Sequence, residues 1–289
     1  MEELIAFFGN IPTSFRTGLL LGGIVLFWAL EGVIPLFSAP YKKVKHAGIN
    51  LFFTLTSAII GLGLAWLLLR ASNFVSENQF GLLYLVEMPL WLQVIVGILL
   101  LDLIGAYFIH WLEHRVKWMW QFHLVHHSDT NVDVTTGLRH HPGETLFRIF
   151  FTIVAVMVVG APIGFVMLYQ SLSVLFAHIT HANIKMPVKL DRVLSYVFVT
   201  PLMHKVHHHY AQPLTDTNYG NIFSIWDRLF KTFAQVDKTE DLVYGIDTHM
   251  DPRENSALDN LLAIPFKKYR PPVGAKFGER EVMDEHVAS

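Results

Sequence analysis

The sequence predicts an all-α integral membrane bundle of three spanning helices plus a helical hairpin, with a cytoplasmic helical cap carrying a histidine-rich dimetal site. Three observations carry that expectation. The 289 residues are 52% hydrophobic and only 16% charged, where soluble domains average about 25% charged. Apolar runs of bilayer-crossing length recur as far as Thr180, about 20 helical residues being enough for roughly 30 Å of hydrocarbon. Histidines repeat at short spacing: His110 and His114 as HxxxH, then His123, His126 and His127 as HxxHH. A second HxxHH follows at His204, His207 and His208, with His181 alone between the two halves.

The apolar start at Leu4 to Phe8 is short and preceded by Glu2 and Glu3, so no cleaved export signal is expected there. Thr17 to Phe37, Ile49 to Leu69 and Leu90 to Ile109 are the predicted spanning helices. Thr145 to Thr180 is equally apolar but is interrupted at Gly160, Ala161, Pro162 and Gly164, which predicts a hairpin that enters the membrane and returns. Orientation follows from basic residues beside short loops. Lys42, Lys43 and Lys45 place the first loop in the cytoplasm, whereas the Ala71 to Pro89 loop carries Glu77 and Glu87 and only the bordering Arg70. The third helix then delivers His110 and His114 to the cytoplasmic face beside Arg115 and Lys117, and the hairpin returns His178 and His181 to it. A single crossing at Thr145 to Thr180 would strand the last HxxHH on the far side. From Met186 onward Pro187, Pro201, Pro213, Pro252, Pro265, Pro271 and Pro272 punctuate short helices of a soluble cap, and the charged tail from Lys267 to Ser289 is expected to be flexible. The expected divisions are membrane helices over 1–98, the histidine-bearing region over 99–236 and a polar tail over 237–289. No internal repeat of 20 to 50 residues is visible.

With no cysteine, the chain excludes disulfides, thiolate zinc sites and iron–sulfur clusters. A net charge of -2 argues against nucleic acid as a partner. Any metal must be held by nitrogen and oxygen. Imidazoles three or four residues apart share one helix face, so each cluster aims several nitrogens at one point. A catalytic zinc usually takes three protein ligands and a structural one four, so this many histidines implies two ions with four or five nitrogens each. His178, one turn before His181 on the same face, is a further candidate. HExxH and the ExxH pairs of carboxylate-bridged bundles are both missing. An all-nitrogen site beside apolar helices favours iron over zinc and suits oxygen activation for attack on C–H bonds. Neutral imidazoles leave the charge of an iron pair uncompensated, so carboxylates should stand nearby. Asp102, Glu113 and Asp227 are the candidate catalytic carboxylates, with Asp129 beside the second cluster. Asp102, two turns before His110, is the most informative, since an ionisable side chain inside a membrane helix is costly. Glu31 lies in the first membrane helix, with nothing in the sequence tying it to the histidines. Trp111, Trp118 and Trp120 read as an interfacial belt before they read as a lipid tunnel.

The ordered motifs HWLEH, FHLVHHSD, TTGLRHHPGE, HANIKMP, TPLMHKVHHH and NYGNIFSIWDRLFKTF resemble the fatty acid hydroxylase superfamily, also called the sterol desaturase family, over Leu99 to Phe233. The resemblance implies a membrane-bound di-iron oxygenase that hydroxylates or desaturates a lipid with O2 and external electrons. It implies His110, His114, His123, His126, His127, His204, His207 and His208 as iron ligands, with His181 as the family's solitary histidine and His178 as an added one. His141 becomes an outer-shell residue, Asn218, Tyr219, Gly220, Trp226 and Asp227 support the last cluster, and His209 is surface or outer shell. His46, His249 and His286 are expected to be ordinary surface histidines. Sterol, fatty acyl, glyceryl ether and carotenoid substrates all fit, and electrons come from a separate reductase or small carrier, or from a reduced pterin. A bacterial inner membrane is the expected location. The competing readings are a histidine-rich metal transporter, disfavoured because the clusters lie at helix ends rather than at the bilayer midplane, and a zinc-dependent membrane hydrolase.

Overall fold

The computed structural model describes residues 1–37, 41–236 and 242–274. The short α1 (Glu2–Gly9) leads into α2 (Thr13–Val33) and the long α3 (Lys43–Glu77). α4 (Leu90–Asp102) continues through a wide π turn (Leu103–Phe108) into α5 (Ile109–Arg115), and a break at Val116 starts α6 (Lys117–His127). The region expected to form a hairpin folds as α7 (Pro142–Val159) and α8 (Ile163–His181), separated by a break at Gly160–Pro162. Short cap helices follow: α9 (Val188–Leu194), α10 (Pro201–His207), α11 (Ile225–Leu229), α12 (Pro252–Ser256) and α13 (Leu258–Ala263).

Among the described residues, five helices are long and apolar enough to cross a membrane: Thr13–Val33, Lys43–Tyr84, Leu90–Arg115, Pro142–Val159 and Ile163–His181. The last two occupy the region expected to form the hairpin, and each is itself of spanning length, so five candidate spans stand where three and a hairpin were expected. Outward faces of α2 and α3 are apolar, with Val25 69% and Leu62 77% exposed, as suits contact with lipid. Between these helices the tight core is Leu101, Val156, Val159, Phe165 and Val166; since lipid is as apolar as these side chains, close packing rather than water exclusion holds it. A second core of Phe53, Trp120, Leu124, Val125, Ile246 and Leu261 joins α3 to the cap. There burial from water contributes about 1.5–3 kcal/mol per large side chain.

Local chemistry sets the element ends. α7 begins with His141 as N-cap, its Nδ1 accepting from Gly143 N at 3.0 Å, and Pro142 in the first turn. It ends at Gly160 with φ +77°, where a Cβ would lie 2.5 Å from the Phe80 carbonyl. Glycine is needed twice over, for the left-handed turn and for the close approach of the 80–84 segment. α10 is capped by Thr200 and starts with Pro201.

The chain beyond Phe266 departs from the expected flexible tail as far as it is described. Tyr269 packs on the cap core and Val273 N donates to Asp247 Oδ2 at 2.9 Å, because this stretch still carries apolar and hydrogen-bonding groups that the cap can receive. His286 and the rest of the tail from 275 lie outside the described residues.

Candidate metal centre

Four elements aim histidines at one buried volume: α5 carries His110 and His114, α6 carries His123, His126 and His127, and the last turn of α8 carries His181. α10 and its C-cap carry His204, His207 and His208. They sort into two groups, His110, His114, His123, His127 and His207 in one, His126, His181, His204 and His208 in the other, with ligand atoms within 4.8 Å of one another in each. Each HxxHH splits between them, because consecutive residues on a helix point about 100° apart. The groups adjoin, with the His123 and His126 rings 5.2 Å apart and those of His127 and His208 4.8 Å apart.

Five of the nine rings are tied down through Nδ1, while Nδ1 of His126, His127, His204 and His208 has no hydrogen-bond partner among the described residues. Nδ1 donates to the Tyr219 carbonyl from His110 (2.8 Å), to Asp216 from His114 (3.2 Å) and to Glu144 from His123 (2.9 Å). It donates to the Ala177 carbonyl from His181 (2.9 Å) and to the Thr217 carbonyl from His207 (2.6 Å). A neutral imidazole that donates from Nδ1 has a bare lone pair on Nε2. The inner Nε2 atoms of His110 and His123 lie 3.1 Å apart, and those of His181 and His204 2.9 Å. The first two therefore face each other lone pair to lone pair, which repels unless a cation sits between. Metal–nitrogen bonds of roughly 2.1 Å at right angles put neighbouring nitrogens about 3 Å apart, so the donor set fits a metal pair. Burial holds His126, His127, His204, His207 and His208 far below the usual histidine range and brings His123 down to about 3. They stay neutral, as ligands must.

The expected carboxylates have other partners. Asp102, fully buried, shares the side of its helix with His110, but it meets the 221–226 segment and α8: Trp226 Nε1 (3.0 Å) and Ile222 and Phe223 N (both 3.3 Å) donate to it from the segment, and the Tyr169 hydroxyl (3.2 Å) from α8. Asp227 accepts from Tyr219 N (2.8 Å), Gly220 N (2.9 Å) and Thr232 Oγ1 (2.7 Å), burial pushing it up to about 6. Together they fix the turn whose Tyr219 carbonyl orients His110. Glu113 pairs with Arg148 at 2.5 Å and stands 3.7 Å from His123 Nδ1. Asp129 accepts from His46 Nε2 at 2.8 Å, while His46 Nδ1 is 3.1 Å from Asp133.

His46 and His249 correct the expectation of surface histidines, being 9% and 6% exposed. His46 was unreadable because its partners come from the loop after α6, and His249 is enclosed by the last cap helices. His141 spends its ring on capping α7; its neighbour His140 approaches the site instead, stacked 4.8 Å from His126 and donating to Glu144 at 2.8 Å. His178 joins neither group. Its ring is buried against Gly23 and Phe27, without a hydrogen-bond partner among the described residues. His209 Nδ1 accepts from Val243 N at 3.2 Å. Trp120 is no interfacial belt residue: it is 2% exposed and lies 4.9 Å from the His114 ring, whereas Trp118 is 54% exposed.

Sequence reasoning missed Glu144, Asp216, Lys205 and Gly137, and left Glu31 untied to the histidines. Glu144 receives His123, His140 and Arg148 at 2.9, 2.8 and 2.8 Å; its i,i+4 spacing to His140 and Arg148 inside an apolar helix was the available signal. Asp216 anchors His114 and had none. Glu31 accepts from Val134 N (2.7 Å), Asn183 N (2.9 Å) and Lys43 (2.6 Å), pinning the chain beside His181. Lys205, wholly buried, donates to the His181 and Val132 carbonyls. Gly137 completes the pocket, for a Cβ there would lie 2.9 Å from His181 Nδ1.

Residues 94–232 match the fatty acid hydroxylase family. The ornithine lipid hydroxylase OlsE of Rhizobium tropici is 30% identical over 55% of this chain and 47% of the relative. The alkylglycerol monooxygenase of Homo sapiens is 28% identical over 82% of this chain and 49% of its own length. A cholesterol 25-hydroxylase-like protein of Danio rerio is 31% identical over 52% and 60%. The chain spans about half the length of the first two. No solved structure matches it significantly.

Proposed function

Because the chain belongs to the fatty acid hydroxylase family, we propose that it is a membrane-bound di-iron oxygenase that hydroxylates or desaturates a lipid, using O2 and electrons from a separate reductase or small carrier. The observation that supports this most directly is the pair of adjoining buried histidine groups, in which His110, His114, His123, His181 and His207 are held from outside through Nδ1. His110, His114, His123, His127 and His207 hold one iron, and His126, His181, His204 and His208 the other. Bound irons supply the one-electron chemistry that lets O2 attack an unactivated C–H bond.

The chain's own work is placement. The carbonyls of Tyr219, Thr217 and Ala177 and the carboxylates of Glu144 and Asp216 hold ring tautomer and direction. Trp120, Leu124 and Ile109, all nearly unexposed, keep water from the histidines on the α5–α6 side. Asp102 and Asp227 act through the 219–227 turn, as positioning residues rather than reacting groups, and Glu113 holds Arg148 against Glu144.

The names of the relatives share one substrate character, a polar head on a long apolar body, and the lipid-facing helices around this site suit such a molecule. Lys42, Lys45, Arg115 and Lys117 beside the cap support a cytoplasmic active site, with α7 and α8 as a hairpin returning to that face. The Rhizobium relative is consistent with a bacterial inner membrane.

The test compares lipids of cells with and without the protein by mass spectrometry. A lipid gaining one oxygen or losing two hydrogens is expected, present with His209→Ala and absent with His207→Ala. Purified protein holding one stable zinc and no iron after iron-replete expression would sink the reading.

A further inference from the structure

The described cap carries one surface that water does not suit. In α9 only Asp191 is buried, its neighbours turned outward: Val188 59%, Leu190 47% and Val193 65% exposed. Tyr196 (60%), Leu229 (66%) and Phe230 (51%) extend the apolar area onto α11. The two helices are one unit, since Ser195 O accepts from Ser224 Oγ at 2.6 Å and from Arg228 Nη2 at 2.9 Å. A seven-residue helix with its valines and leucines outward and its one acid inward cannot be explained by folding in water.

Two contacts make this surface continuous with the spanning helices. Phe198 lies 5.6 Å from Phe176 of α8, and Phe230 stacks 5.4 Å from Tyr107 in the π turn of the third spanning helix. Among the apolar residues stand the exposed bases Lys185, Lys189 and Arg192, with no exposed acid over residues 185–198.

We infer that the α9–α11 edge lies within the headgroup–acyl boundary of the bilayer, its apolar side chains in lipid and its bases on anionic headgroups. Amphipathic segments of this composition lie in the interface plane, and basic residues there are drawn to anionic lipid. The expectation of a wholly soluble cap is thereby revised at one edge. Asp191 and Thr200 link this edge to the start of α10, so the element that holds His204 and His207 is referenced to the membrane surface. The inference stands on burial and contacts alone and is independent of the chemistry proposed above.

The lack of cysteine makes the test direct, since a single introduced thiol is unique. Val193→Cys carries an environment-sensitive fluorophore in full-length protein reconstituted into phosphatidylcholine vesicles, with or without phosphatidylglycerol. Arg253→Cys, exposed on the polar α12, is the aqueous reference, and Leu190→Cys is the second position should Val193→Cys fold poorly. Expected are several-fold weaker quenching by iodide than at Arg253→Cys and stronger quenching by nitroxide-bearing lipid. Protection should be greater with phosphatidylglycerol, and that difference should vanish when Lys189→Glu and Arg192→Glu are added. Iodide quenching equal to the reference overturns the inference, as does energy transfer between labelled copies, which would assign the face to a second chain. Protection indifferent to phosphatidylglycerol overturns the anionic headgroup.

Discussion

At single residues, the centre depends as much on what grips each imidazole from behind as on the imidazoles. Glu144 is the clearest case, since one carboxylate receives His123, His140 and Arg148. Glu144→Ala is expected to weaken metal binding about 10–100-fold, read by titration with a competing chelator, whereas Glu144→Gln, which keeps one acceptor oxygen, should fall between that and the parent. His249 supplies a pH dependence away from the ligands. Burial lowers it from 6.5 to about 4, so the unfolded chain binds the proton more readily. Its contribution is then fully present above pH 6.5 and fades as pH falls toward 4. Thermal unfolding between those values should lose stability on acidification, and His249→Gln should flatten the slope without abolishing lipid oxidation. The clustering of the histidines was legible because their spacing is unusual in one dimension. Their supports were not: the acceptors for His110, His181 and His207 are backbone carbonyls, which every residue has.

Among the elements, length and hydropathy were enough to locate the helices, but not to say what their polar side chains meet. Asp102 shows the limit. Its position in an apolar helix marked it as consequential, yet the sequence offered no sign that the 221–226 segment would fold back onto it. Asp102→Ala should therefore act by releasing that segment, with four donors left unpaired at about 1–3 kcal/mol for each buried one. Loss of thermal stability alongside loss of activity is the expected signature, and full stability with lost activity would instead make it a reacting group. The break between α7 and α8 was readable from Gly160 and Pro162, while the wide turn at Leu103–Phe108 was not, since no side chain there announces it. Gly160→Ala is expected to cost about 1–3 kcal/mol, from the positive φ and the closeness of the Phe80 carbonyl, measurable as a lowered midpoint in thermal unfolding.

At the scale of the whole molecule, the consecutive α5 and α6 meet α8 and α10 from farther along the chain at the histidines, so bound metal should act as a clasp on the fold. Removing it with a strong chelator is expected to lower the unfolding midpoint. Each site at 1,000 times its dissociation constant contributes about 4 kcal/mol; readdition of ferrous iron should restore the midpoint, and an unchanged one would mean that packing alone holds the cap. The division of each HxxHH between the two groups carries this further. His126 and His127 leave the same helix for different groups, as do the adjacent His207 and His208, so any movement that spoils one set of donors also displaces the other. Occupancy should then be cooperative. Under limiting iron, a preparation would contain molecules with both ions and molecules with none, and a stable half-filled species would be scarce.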